Sequence, residues 1–90
     1  MIDLSLYTRR GCCLCEEMKT AIDDAIGGFP VRLEEIDVDA NPDFTERFGA
    51  DVPVLFVEGQ EFARHRLDRK ALRERLRRAG APSEFPGGRP

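Results

Sequence analysis

The chain has 90 residues, 41% of them hydrophobic, and a formal charge of -3. That size suits one small domain around one core and leaves no room for a second. No apolar run approaches the roughly 18 residues of a membrane span, and Met1-Ile2-Asp3 lacks the basic start of a signal peptide, so a cytoplasmic protein with no membrane partner is expected.

Ile2 to Tyr7 is apolar-rich, with Leu4 and Leu6 alternating with Asp3 and Ser5, and reads as a strand. Leu14, Met18, Ala21, Ile22, Ala25 and Ile26 then form one helical stripe that Gly27-Gly28 ends. From Val31 to Val38 apolar residues fall at 31 and 33, then at 36 and 38, so the alternation changes phase. This charged strand is expected at a sheet edge, with a bulge or early end near Glu34-Glu35. Strand, helix and strand make a βαβ unit with two parallel strands.

Asn41-Pro42 starts a short helix whose Phe44 and Phe48 lie one turn apart before Gly49, and both aromatics are expected in the core. Val52 to Val57 is almost continuously apolar and reads as an inner strand, with Pro53 tolerated at its start. Glu58-Gly59-Gln60 turns the chain so that Glu61 to His65 returns antiparallel. Asp68 caps a last helix, with Leu67 and Leu72 as its hydrophobic staple, and Leu76 and Ala79 continue the stripe to Gly80. Beyond it Pro82, Pro86, Gly87, Gly88 and Pro90 leave little to pack, which sets a domain at 1–80 and a flexible tail at 81–90.

Charge is unevenly spread, with a net -8 over residues 1–60 and +5 over 61–90. Arg69, Lys70, Arg73, Arg75, Arg77 and Arg78 make the last helix basic, which ordinarily means a solvated face. The overall negative charge, and the lack of an aromatic among those arginines, speak against nucleic acid as a partner.

All three cysteines fall in Gly11-Cys12-Cys13-Leu14-Cys15, at the first strand-to-helix turn. Three cysteines in a chain without a secretion signal point to thiol or metal chemistry rather than a disulfide framework. A spacing of three puts Cys12 and Cys15 on one helix face, with Cys12 as N-cap and Cys15 in the first turn. The Cys12 sulfur then meets amide N–H groups that have no intrahelical partner and the positive end of the helix dipole, beside Arg9 and Arg10. Its thiolate is favoured there, although Glu16 and Glu17 push the other way. Cys12 is therefore the candidate nucleophile and Cys15 the resolving thiol. Cys13 points away from its neighbours and reads as a bystander or a site of oxidation, and His65 reads as a surface strand residue. No metal site is expected, since only Cys12, Cys13, Cys15 and His65 are available for zinc and two of them are adjacent.

The element order βαβαββα, with Cys-x-x-Cys at the first strand-to-helix turn, resembles the thioredoxin fold, an α/β fold with a mixed four-stranded sheet and helices on both faces. Tyr7 to Cys15 and Asp51-Val52-Pro53-Val54-Leu55 resemble the active-site turn and the cis-proline segment of small glutaredoxin-like proteins, over about residues 1–79. The resemblance implies a monomeric dithiol–disulfide oxidoreductase in which Cys12 attacks and Cys15 resolves. It also implies that Pro53 is cis and faces the pair, and that the Val52 backbone binds an extended substrate. Arg9 stands three before Cys12, where glutaredoxins often carry a lysine that contacts glutathione, so Arg9 is a candidate substrate contact. No tightly bound cofactor is implied, and glutathione would serve as reductant.

The chain departs from the family at two places. Cys13-Leu14 stands where glutaredoxins have proline and an aromatic, and Ala63-Arg64-His65-Arg66 stands where they have a Gly-Gly-x-Asp-like stretch. Two electron donors therefore remain open, glutathione and a thioredoxin-reductase-like enzyme, with a disulfide-containing protein or glutathione as the substrate. Two other readings stand beside this one: an iron–sulfur cluster bridged between two protomers through Cys12, as in relatives with altered motifs, and a non-catalytic binding module on a thioredoxin-like scaffold.

Overall fold

Strand β1 (Ile2–Thr8) organises the molecule because its two faces serve two different apolar clusters. Ile2, Leu4 and Leu6 are buried on one face, and Tyr7 packs on the other. The computed structural model describes residues 1–80, and the tail expected at 81–90 lies outside them. Within that span β1 is followed by α1 (Cys13–Ile26), β2 (Val31–Asp37), a 3₁₀ turn (Val38–Ala40), α2 (Pro42–Phe48), β3 (Val54–Val57), β4 (Gln60–Arg64) and α3 (Arg69–Gly80). The sheet order is β2-β1-β3-β4, with β1 parallel to β2 and antiparallel to β3, and β3 antiparallel to β4.

The larger cluster joins Leu4, Leu6, Leu55 and Val57 to Met18 and Ile22 of α1 and to Leu72 and Leu76 of α3. On the opposite face Phe48 of α2 packs with Val38, Val54, Tyr7 and Phe56. Tyr7 is the centre of that group, its ring centroid lying 5.3 Å from Phe44, 4.4 Å from Phe48 and 5.4 Å from Phe56. Helices thus cover both faces of the sheet, as an α/β thioredoxin-like fold requires. No helix of the described residues is long and apolar enough to cross a membrane.

β2 is at the edge, as its charges foretell, but it has no bulge. Its register with β1 runs unbroken from Ile2 opposite Val31 to Thr8 opposite Asp37. Glu35 lies opposite Leu6 and so falls on the α1 side, where its carboxylate meets the Lys19 ammonium at 3.0 Å. Ile36, opposite Tyr7, falls on the other face. The change of phase in the apolar pattern is absorbed by an ion pair, and the strand stays regular. The irregularity sits in β4 instead: Leu55 faces Ala63 and Phe56 faces Glu61, leaving Phe62 as the extra residue, and Phe62 packs against the core. β3 also begins later than its apolar run suggests, at Val54, since Pro53 has no N–H to give the ladder; the Val52–Pro53 peptide is cis. Glu58 and Gly59 both take positive φ, 51° and 79°, which is the two-residue turn whose twist matches a hairpin.

Both later helices start where the sequence places them. Asn41 accepts from the Asp43 N–H at 2.9 Å, and Asp68 accepts from Lys70 and Ala71 at 3.0 and 3.2 Å. Leu67 packs against the main cluster, of which Leu72 is a member, as the expected staple requires. Replacing Asp68 by alanine should cost about 0.5–2 kcal/mol of unfolding free energy in urea, the range for a lost N-cap. Leu72→Ala, which empties a fully buried site, should cost about 2–5 kcal/mol.

Candidate functional site

β1 ends at Thr8, and four residues then separate it from α1. Gly11 takes φ 72° in that turn, a left-handed conformation that favours glycine, and it brings Cys12 to the N-cap position of α1. Cys12 has extended backbone angles, φ -94° and ψ 109°, and its sulfur accepts a hydrogen bond from the Cys15 N–H at 3.1 Å. The Cys12 carbonyl accepts the first intrahelical bond, from Glu16 N–H at 3.2 Å. A sulfur therefore caps the helix in the place usually filled by a hydroxyl or carboxylate oxygen.

The three thiols differ sharply in access. Cys12 is half-exposed, Cys13 is exposed and Cys15 is fully buried. Burial pushes the Cys15 thiol above its ordinary value, and the neighbouring Cys12 sulfur pushes it the same way. The Thr8 hydroxyl and the Arg9 backbone N–H act against that rise. Thr8 is itself a buried polar residue at the strand end, and nothing in its local sequence marks it as a partner of Cys15. All three thiols are free, and Cys12, Cys13, Cys15 and His65 form no metal-ligand cluster among the described residues.

Arg9, the candidate substrate contact, is held by two partners on other elements. Its guanidinium forks onto Asp39, with Nε and Nη2 each 2.9 Å from a carboxylate oxygen, and its Nη1 donates to the Gly49 carbonyl at 3.1 Å. Asp39 is held below the usual carboxylate range by that pair. The side chain thus ties the turn before Cys12 to the 3₁₀ turn and the end of α2. Arg10, its neighbour, is exposed and makes no ion pair among the described residues.

Val52 and Pro53 lie at the same end of the sheet as the cysteines, because Tyr7 pairs antiparallel with Val54, so the residues that follow β1 and those that precede β3 share that edge. Pro53 is buried, and its carbonyl accepts from His65 N–H at 2.8 Å. The backbone groups of half-buried Val52 have no backbone hydrogen bond among the described residues. His65 is exposed, in a left-handed conformation with φ 66°, just past the end of β4.

A mixed βαβαββα sheet with a cysteine pair at the start of its first helix defines a thioredoxin-fold protein. The chain belongs to the Glutaredoxin-like domain family (DUF836), which it matches over residues 3–77. It is 35% identical to a glutaredoxin-like protein of Dictyostelium discoideum over 77 residues, an alignment that spans 79% of this chain and 71% of that one. Among solved structures, a Nitrosomonas europaea protein determined by NMR superposes with a TM-score of 0.72 at 34% identity, over 83% of this chain and 91% of that one. An X-ray structure from X. campestris gives 0.69 at 30% identity, over 88% and 99%. A thioredoxin of Halobacterium salinarum shares the fold, with a TM-score of 0.62 at 21% identity, over 89% and 75%.

The Cys15 shift carries a pH dependence. With its folded value raised, the unfolded chain releases that proton first, so the folded state holds more protons and stability falls as pH rises above about 8.5. The urea midpoint of the reduced protein should fall more steeply between neutral pH and that alkaline range than the midpoint of Cys15→Ala, which lacks the thiol.

Proposed function

We propose that this protein is a thiol–disulfide oxidoreductase that works through Cys12 and Cys15. The observation that carries the reading is the asymmetry of the pair: an accessible sulfur accepting an amide hydrogen bond at 3.1 Å from the residue that bears a buried, proton-retaining thiol. An accessible thiolate attacks a disulfide, and a shielded thiol is kept from side reactions until the first has reacted.

The Cys12 thiolate attacks one sulfur of a substrate disulfide. A Cys12–substrate bond forms, the substrate S–S bond breaks, and the departing sulfur leaves as a thiolate that takes up a proton. Cys15 then loses its proton and attacks the Cys12 sulfur. The Cys12–Cys15 bond closes, the mixed disulfide breaks, and the substrate leaves with two electrons gained. Polar groups of Thr8 and the Arg9 backbone stabilise the Cys15 anion as it forms. The backbone of Val52, which has no backbone hydrogen bond among the described residues and lies beside buried Pro53, offers an extended substrate a strand to pair with. The substrate is a disulfide-containing protein. A thiol donor returns the two electrons, either two molecules of glutathione, which leave as glutathione disulfide, or the dithiol of a thioredoxin-reductase-like enzyme.

Cys15→Ser should trap the mixed disulfide, visible as a mass increase equal to the substrate, while Cys12→Ser should abolish disulfide reduction. Full reductase activity in Cys12→Ser would remove the assignment. Offering the oxidised wild type glutathione with glutathione reductase, and separately thioredoxin reductase, each with NADPH, should show NADPH consumption with one donor system and identify it.

A further inference from the structure

Two arginines flank the loop that carries Val52, and neither is free. The segment from Gly49 to Pro53 leaves α2 and enters β3, whose neighbours in the sheet are β1 on one side and β4 on the other. From the β1 side, Arg9 donates to the Gly49 carbonyl at 3.1 Å while its fork holds Asp39. The seat is close: a Cβ on Gly49 would lie 3.1 Å from Arg9 Nη2. From the β4 side, Arg64 Nη1 donates to Asp51 at 2.7 Å, while its Nε and Nη2 fork onto Glu61 at 2.5 and 3.0 Å. The same corner of β4 supplies the His65 N–H that binds the Pro53 carbonyl.

Each guanidinium is neutralised by a carboxylate that is not on the loop, Asp39 for Arg9 and Glu61 for Arg64. That carboxylate fixes the planar fork, and the remaining N–H reaches the loop. Local order in Asp51 and Gly49 is therefore imposed from two strands. Val52 stands between Asp51, held by Arg64, and Pro53, held by the His65 N–H, and its own backbone has no backbone hydrogen bond among the described residues.

We propose that Arg9 and Arg64 are a pair of positioning residues that pin the Gly49–Pro53 loop from opposite sides and hold the Val52 backbone where an extended substrate pairs with it. This rests on the oxidoreductase reading for the identity of the substrate, and the clamp itself rests on the geometry alone. Neither arginine touches the reacting sulfurs through its side chain. Loss of either acts on substrate binding, and loss of Arg64, which has no charge interaction with Cys12, leaves the chemistry of that sulfur in place.

The test uses the full chain with Arg9→Gln, Arg64→Gln and Arg64→Lys, and insulin as the disulfide substrate. Each glutamine variant should raise KM by about two- to fivefold, the effect of losing one partly exposed ion pair, with kcat unchanged in Arg64→Gln. Arg64→Lys, which keeps the charge and loses the fork, should fall between. Alkylation of Cys12 by iodoacetamide, which needs no loop, should proceed at the wild-type rate in Arg64→Gln, whose lost charge does not act on that sulfur, whereas Arg9 interacts with Cys12 by charge. Hydrogen exchange at the Asp51 and His65 amides should quicken in Arg64→Gln, while Leu4 in β1 keeps its protection. An unchanged KM, or a loss confined to kcat, overturns the proposal. So do wild-type exchange rates at Asp51 and His65. A wild-type protein that reduces no disulfide would remove the oxidoreductase reading, and the exchange rates alone would then decide whether the clamp exists.

Discussion

The antiparallel pairing of Tyr7 with Val54 is the constraint on which the site depends. It lays the C-terminal end of β1 beside the N-terminal end of β3, so the residues after one strand and before the other share a sheet edge. The cysteine turn leaves from the first, and Val52-Pro53 arrives at the second. Burial enforces this register. A slip of one residue would turn Leu4 and Leu6 out of the main core and Tyr7 out of its aromatic group. Loops that have little packing of their own thus inherit their position from strands that have much.

Within that frame the helix N-terminus does chemical work on one sulfur and leaves the other dry. The first N–H groups of α1 lack intrahelical partners, and one of them is satisfied by Cys12. Cys15, three residues on, falls on the buried face with Met18 and Ile22. The same periodicity that makes the helix amphipathic therefore separates the two thiols into an accessible one and a shielded one, and it leaves Cys13 pointing to solvent. An ordinary helical repeat is enough to produce this division.

Charge plays a quieter part. Lys19 bridges Glu16 and Glu35 where an apolar residue would complete the β2 face. Arg73 of α3 donates to the Ala25 carbonyl and lies over the Phe29 ring, 5.5 Å from its centroid, so one of the arginines of the basic helix closes the end of α1. Arg69 reaches Asp24 at 3.2 Å, again on α1. The positive charge of the last helix is in part structural, spent on tying α3 to α1.

Much of this was legible in the sequence, because the signals are local. Helix α1 with Cys12 as its cap, the Asn41-Pro42 and Asp68 starts, the edge character of β2 and the hairpin after Val57 each follow from residues a few positions apart. Periodicity and capping chemistry act over that range. The partners of Arg9, Lys19 and Arg64 did not emerge, since Asp39, Glu35 and Asp51 lie far along the chain and no local rule links them. For the same reason the expected bulge in β2 gave way to an ion pair, and the extra residue appeared in β4. Nor did the local pattern mark Thr8 as the polar neighbour of Cys15, because only the fold brings a strand end against the first turn of α1. Short-range order belongs to the sequence because propensity and amphipathicity are properties of neighbours, whereas which charge meets which, and how deeply a thiol is buried, is decided when the sheet closes and distant segments are brought within hydrogen-bonding reach.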